Sequence, residues 1–339
     1  LAQETMGEVA GKKDPQETKR KARKVATIPT LEQFLDGAYG EWVQANRKDG
    51  KATVARLKAC FKADLITKKL NTITAWQVEK WQSQRRKAGK AASTINRDIT
   101  ALKASLSKAV QWGLLELHPL ATVKPLKVDR HARTRYLSDS EEKRLRKALA
   151  ARDAKLKQER ASANAWRKQR GYTRLPEFAG YFDHMTPMVL LSINTGMRRG
   201  ELFQLRWPDV DLKRHILTVR GSTAKAAKTR HIPLNQEALD ALKSWKDRDT
   251  NPLVFPGRNG QPFDNVKKAW SALLDTAKVK DFRWHDLRHT FASKLVMAGV
   301  DLNTVRELLG HADLKMTLRY AHLAPEHKAD AVAKLVSTP

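Results

Sequence analysis

The chain has 339 residues, 65 of them Lys or Arg against 36 Asp or Glu, for a formal net charge of +29. That imbalance calls for an anionic partner; nucleic acid is the commonest, with a ribosomal surface or a membrane face as the other readings. A 41% apolar share excludes wholesale disorder, the single cysteine, Cys60, excludes an internal disulfide or a multi-cysteine zinc site, and no apolar run approaches the ~20 residues of a bilayer span. The length suits two domains, and a soluble, cytoplasmic protein is expected.

Residues 1–27 alternate Lys and Arg with Glu, Ala and Gly and include a basic run, Lys19, Arg20, Lys21, Arg23 and Lys24. A solvated tail and an arm laid along DNA phosphates both fit; a flexible arm is expected. Residues 28–120 read as helical. Leu31, Phe34, Leu35, Ala38 and Trp42 recur at three- and four-residue steps, as do Ile95, Ile99, Leu102, Leu106 and Val110. Ser93 or Thr94 is expected to cap the second of these helices, which Gly113 and Pro119 end. Trp76 and Trp81 are expected in the core of the bundle, with Cys60 as a small core residue. Lys87, Lys90, Arg97, Lys103 and Lys108 offer a basic outer face suited to one side of a duplex. Residues 121–136 show no apolar period and carry Lys124, Pro125, Lys127, Arg130, Arg133 and Arg135, which predicts a basic linker crossing the DNA backbone.

The second domain is expected over 137–339. Ser138 with Glu141 predicts a capping box opening a helix through Leu145 and Leu149. Residues 150–180 are charge-rich and weakly periodic, which suggests a helical excursion on the surface. The apolar run 186–194 predicts a buried helix ended by Gly196, and Leu202 and Leu205 belong to a short helix after it. Residues 215–220 and 229–234, rich in Ile, Val and Thr, predict two strands, with 221–228 as a basic hairpin tip. Helices are predicted at 236–245, 266–276, 285–298, 302–309, 314–320 and, amphipathic, 325–336. The fold class is thus mainly α with one small antiparallel sheet.

Chemistry enters with His285-Asp286-Leu287-Arg288-His289. His285 and Arg288 share one face at a helix N-terminus, where unpaired N–H groups favour an anion; alone, such a pair is more often a surface feature. His285 and His289 also stand four apart beside an acid, a loose likeness to a zinc protease pattern. Asp286 is shorter than the usual glutamate base, and only His311 offers a third ligand. Leu309-Gly310-His311 follows, and nine residues after His311 comes Tyr320. Upstream lie Thr195-Gly196-Met197-Arg198-Arg199-Gly200-Glu201-Leu202 and Lys225 on the hairpin.

This ordered set, Arg, hairpin Lys, His-x-x-Arg, Gly-His and Tyr, resembles the tyrosine recombinase (phage integrase) family, and with the helical region before it the resemblance covers most of residues 28–325. It implies a helical SAM-like core-site-binding domain and a catalytic domain closing as a C-shaped clamp on DNA. Arg198 and Arg288 would fork onto the non-bridging oxygens of a phosphodiester, so that no metal or other cofactor is needed. Lys225 would protonate the leaving 5′ oxygen, with Lys228 as its rival, while His285 assists as general acid/base and His311 hydrogen-bonds the phosphate. Tyr320 would attack to give a 3′-phosphotyrosyl link that conserves the bond energy without ATP. Glu201 would orient Arg198, and the spacing from Thr195-Gly196 favours Arg198 over Arg199. The resemblance further implies a tetramer on two DNA attachment sites exchanging strands through a Holliday junction, for integration and excision of a mobile element. A DNA-bending or directionality factor, the bacterial nucleoid and no membrane go with that role. The 325–336 helix would dock on a neighbouring protomer or pack in cis. Rival readings are a type IB topoisomerase-like enzyme and a DNA-binding regulator that has lost catalysis.

Overall fold

Capping chemistry sets the first helices. Thr30 and Gln33 form a reciprocal capping box that opens α1 (Leu31–Asp36), and Thr74 and Gln77 form another at α4 (Ala75–Lys87). Between them lie α2 (Ala38–Asn46) and α3 (Gly50–Phe61), and α5 (Ala92–Gln111) follows. The computed structural model describes residues 28–128, 134–221, 228–246 and 250–324. The basic arm, Arg130, Arg133, Lys225 and the 325–336 helix lie outside the described residues.

Two units partition the chain, residues 1–131 and 132–339. In the first, Leu31, Phe34 and Leu35 of α1 meet Leu57 and Phe61 of α3, Val78 and Trp81 of α4, and Ile95, Leu102 and Leu106 of α5 in one apolar core. Trp81 stacks at 4.5 Å from Phe61 and donates its indole N–H to the Cys60 carbonyl at 3.1 Å, while the Cys60 side chain packs half-buried at the rim. Trp76, expected inside, is 66% exposed under Lys80. One helical turn separates Val78 and Trp81 on the buried stripe, and Trp76 falls off that stripe. Nor do Ser93 and Thr94 cap α5: the cap is Ala91, with no side-chain hydrogen bond, and both residues lie within the first turn.

The expected linker begins later than the composition suggested. Val123 is buried in the first core, and Leu126 packs on it. Lys103 and Gln82 donate to the carbonyls of Val123 and Lys124, and Asn96 both donates to and accepts from the Leu126 backbone. Two apolar residues and four side-chain hydrogen bonds hold this strap, and no sequence period reports it because it is neither helix nor strand.

In the second unit Ser138 and Glu141 open α6, which runs unbroken over Asp139–Gln169, 31 residues. The excursion expected at 150–180 is thus the far half of α6 and an extended return. Buried Asn164 fastens the return by bonding both the N–H and the carbonyl of Leu175. Helix α7 (Met185–Thr195), buried nearly all round, ends at Gly196 with φ 60°, and the short α8 (Arg199–Phe203) follows. Strands β1 (Val210–Asp211), β2 (Ile216–Val219) and β3 (Arg230–Pro233) form an antiparallel sheet in that order, with Leu217 opposite Ile232 and Val219 opposite Arg230. The two-residue β1 was not expected. Helices α9 (Gln236–Trp245), α10 (Lys267–Thr276), α11 (Asp286–Met297) and α12 (Leu302–Leu309) complete the unit. The helix expected at 314–320 is instead two tight 3₁₀ turns, Leu314–Met316 and Leu318–Leu323. Among the described residues no helix is long and apolar enough to cross a membrane.

Candidate active site

The site is assembled around the C-terminus of α12. The last carbonyls of a helix lack intrahelical partners and carry the negative end of its dipole, so cations gather there. Three guanidiniums take three successive carbonyls. Arg230 Nε donates to Leu308 O at 3.0 Å, Arg288 Nη2 to Leu309 O at 2.6 Å, and Arg198 Nη2 reaches Gly310 O at 3.4 Å. Arg288 Nη1 also donates to Gly196 O at 2.7 Å, which ties the end of α7 to the end of α12. Both turns need glycine. A Cβ at Gly196 (φ +60°) would lie 2.4 Å from the Phe291 ring, and one at Gly310 (φ +65°) 2.9 Å from the Arg230 side chain.

One buried carboxylate balances these cations. Glu201, 3% exposed, accepts from Arg230 Nη2 at 2.7 Å, Arg198 Nη1 at 3.0 Å and the Arg198 backbone N–H at 2.9 Å. Burial opposes its charge, but the hydrogen bonds and charges of Arg230 and then Arg198 outweigh it and hold the carboxyl below the usual range. Arg288 is 3% exposed; burial and the neighbouring Arg198 push its guanidinium down to about 9, which leaves it charged at neutral pH. Arg199 does not join the cluster: it is exposed over the Phe203 ring.

His311 follows Gly310. Its Nδ1 is hydrogen-bonded to Thr317 Oγ1 at 2.9 Å, and burial with the Arg288 and Arg198 charges pushes it down to about 3, so it is neutral at pH 7. His285 lies at the start of α11 with its ring 5.1 Å from His289, edge to face. Desolvation and then the Arg288 charge lower it as well. Tyr320 sits on the second 3₁₀ turn, 1% exposed among Ala292, Val296, Val305 and Leu309. Its hydroxyl meets His289 Nδ1 at 2.6 Å. Burial raises the phenol, opposed by the Arg288 and Arg319 charges. Three residues of the loose zinc pattern are engaged elsewhere: His289 with Tyr320, His311 with Thr317, and Asp286 as acceptor for the Arg283 backbone N–H. Lys228 is exposed on a cleft of 640 Å³ that Arg230, Glu307 and His311 also line.

Three contributors escaped the sequence reading: Arg230, His289 in contact with Tyr320, and Thr317. Arg230 had a signal. It shares the inward face of β3 with buried Ile232, and an arginine at an inward strand position demands a carboxylate partner. Thr317 had none, because its bond to His311 depends on how the 3₁₀ turns fold back.

The comparisons with known proteins agree with this architecture. The model of the phage integrase family matches residues 183–327. The integrase of Salmonella phage P22 is 32% identical over 163 residues, 44% of this chain and 42% of that protein. A tyrosine recombinase XerC-like protein of Caldanaerobacter subterraneus subsp. tengcongensis is 25% identical over 319 residues, 80% of this chain and 73% of that protein. Over residues 183–327 the chain is thus similar to the tyrosine recombinase (phage integrase) family. The chain spans less than half the length of the P22 integrase it matches. In fold it is similar to the Tn1549 transposon integrase in complex with a circular intermediate DNA (TM-score 0.64, 18% identity, 91% of this chain and 100% of that one). It is likewise similar to a lambda integrase fragment in a dimer bound to a core site (TM-score 0.61, 18% identity, 85% and 97%).

Proposed function

We propose that this protein is the site-specific DNA recombinase of a phage or other mobile element, cutting and rejoining strands through a 3′-phosphotyrosyl link at Tyr320. The observation that carries the reading is that Arg198 and Arg288 end on adjacent carbonyls of one helix terminus beside His311, with Arg288 within electrostatic reach of Tyr320. A phosphate seated there meets two preset guanidiniums where charge builds in the transition state, so neither a metal ion nor ATP is called on. Glu201 and Arg230 keep Arg198 in place. Neutral His311 accepts or donates a hydrogen bond without adding repulsion to the cluster. The leaving 5′ oxygen takes its proton from Lys225 or Lys228, with His285 assisting.

Around that chemistry, exposed Lys87, Lys90, Arg97, Lys124 and Lys127 hold DNA phosphates with the basic arm and with Arg130 and Arg133. Lys103 drops out of this set because its ammonium is committed to the Val123 carbonyl at 3.1 Å. The strap brings Lys124 and Lys127 next to the α4–α5 pair that carries Lys87 and Arg97. Partners are double-stranded attachment sites, further copies of this chain in a tetramer on a Holliday junction, and a DNA-bending or directionality factor. The place of action is the cytoplasm, on the nucleoid.

The test is covalent trapping on nicked duplexes carrying candidate attachment sites, in the presence of chelator. A protein–DNA adduct that survives chelator and disappears in Tyr320→Phe is the expected result. Specific binding without an adduct would replace this reading with a non-catalytic DNA-binding regulator. Relaxation of supercoils without sequence preference would favour a topoisomerase-like enzyme.

A further inference from the structure

The Tyr320 hydroxyl has a single hydrogen-bond partner among the described residues, His289 Nδ1 at 2.6 Å. With the ring 1% exposed, the hydroxyl hydrogen needs an acceptor, so the O–H donates to Nδ1, and the imidazole's own proton is on Nε2. Burial, then the charges of His285, Arg319 and Arg288, hold His289 down at about 4, and an acceptor must be neutral at working pH. Of the other groups that might take a proton, His311 Nδ1 is committed to Thr317 and Asp286 Oδ2 to the Arg283 N–H, and the His285 ring lies against His289. A phenol is almost fully protonated at neutral pH, and burial here strengthens that preference.

We propose that His289 is a further catalytic residue: it accepts the hydrogen bond of the Tyr320 hydroxyl, fixes the direction of the phenolic oxygen and receives its proton as that oxygen bonds to phosphorus. This rests on Tyr320 being the nucleophile. In the step, the O–P bond forms from a phenolic lone pair, and the P–O5′ bond breaks with its electron pair leaving on O5′. The hairpin lysine protonates O5′. The phenolic proton moves to His289 Nδ1, giving an imidazolium protonated on both nitrogens. Rejoining reverses each transfer. The phosphodiester itself prepares the base, because its negative charge offsets the cations that suppress protonation of His289.

Single-turnover cleavage of a nicked attachment-site duplex by the full chain tests this, with His289→Ala, His289→Gln and added imidazole. Both variants are expected to bind the duplex within about twofold of wild type and to cleave about 10²-fold more slowly. His289→Gln offers an amide acceptor but cannot take up a proton, so it separates positioning from proton transfer. Free-base imidazole is expected to speed His289→Ala and not His289→Gln. Wild-type cleavage by His289→Gln, or a slow His289→Ala that ignores imidazole, would overturn the proposal. A wild-type chain that binds its site and forms no adduct fails the recombinase reading instead. The contact is then still decided by ¹⁵N NMR without DNA: the His289 Nδ1 resonance is expected to move in Tyr320→Phe, and an unmoved resonance overturns the hydrogen bond.

Discussion

Replacing Glu201 by glutamine removes one charge from a buried cluster and changes almost nothing in its shape. Glu201 accepts from Arg230 at 2.7 and 3.2 Å and from Arg198 at 3.0 Å, and Arg288 is close enough to feel its charge. Without it, three guanidiniums crowd one helix terminus with only peptide carbonyls to face. Removing one partner of a buried ion pair costs about 3–5 kcal/mol. In a domain of this size each kcal/mol moves Tm by about 2–4 °C, so the expected drop for the second unit is about 6–20 °C at pH 7. The acid limb gives the sign. A carboxyl held below its unfolded value contributes stability that is present above the unfolded pKa, about 4.3, and lost as pH falls through the folded one. Wild type and Glu201→Gln are therefore expected to differ most above about pH 5 and to converge towards pH 3. Sulfate, which can sit among the guanidiniums, is expected to raise the variant's Tm more than that of wild type. Calorimetric melts over that pH range are the assay. A Tm at pH 7 within about 2 °C of wild type, or a gap that persists in acid, would refute the charge-balance account.

Gly310→Ala puts a methyl in a left-handed turn and against Arg230, and is expected to cost about 1–3 kcal/mol and slow adduct formation; chemical denaturation with single-turnover cleavage checks both. Asn164→Ala cuts the bonds to both backbone groups of Leu175 and is expected to cost about 1–3 kcal/mol, with faster proteolysis in the return segment and unchanged cleavage chemistry. His289 and His311 fall to about 4 and about 3, so NMR titration of the DNA-free protein should find both neutral down to about pH 5. Because both lie below their unfolded value of about 6.5, they contribute stability that is full above that pH and declines as pH falls through their folded values; stability of this unit independent of pH between 7 and 4 would contradict it.

Much of the helical order was legible because it follows from local rules. Ser138 with Glu141, Gly196 at the end of α7, and the bounds of α9 and α12 are set by caps and a 3.6-residue apolar period acting over a few residues. Local rules misled where a tertiary surface chose otherwise. Trp76 is apolar and helical yet faces solvent, because the apolar stripe of α4 runs through Val78 and Trp81. The strap at 121–126 reads as a linker because nothing in its own residues reports the Asn96 and Gln82 side chains that hold it. The turns around Tyr320 replace a predicted helix because Thr317 is drawn into the interior to meet His311.

The sequence by itself determined a strongly basic chain and, in order along it, Arg198, His285, Arg288, His311 and Tyr320, the set whose family resemblance implies the proposed phosphotyrosyl chemistry. Only the tertiary structure decided how those groups are poised. Glu201 neutralises and braces Arg198 and is itself held by Arg230, successive carbonyls at the end of α12 sort the three guanidiniums, and His289 reaches Tyr320 across 31 positions of chain. The physical reason is range. Caps and periodicity act over a turn or two of backbone, whereas charge balance and the satisfaction of buried polar groups depend on whatever the fold brings within about 3 Å.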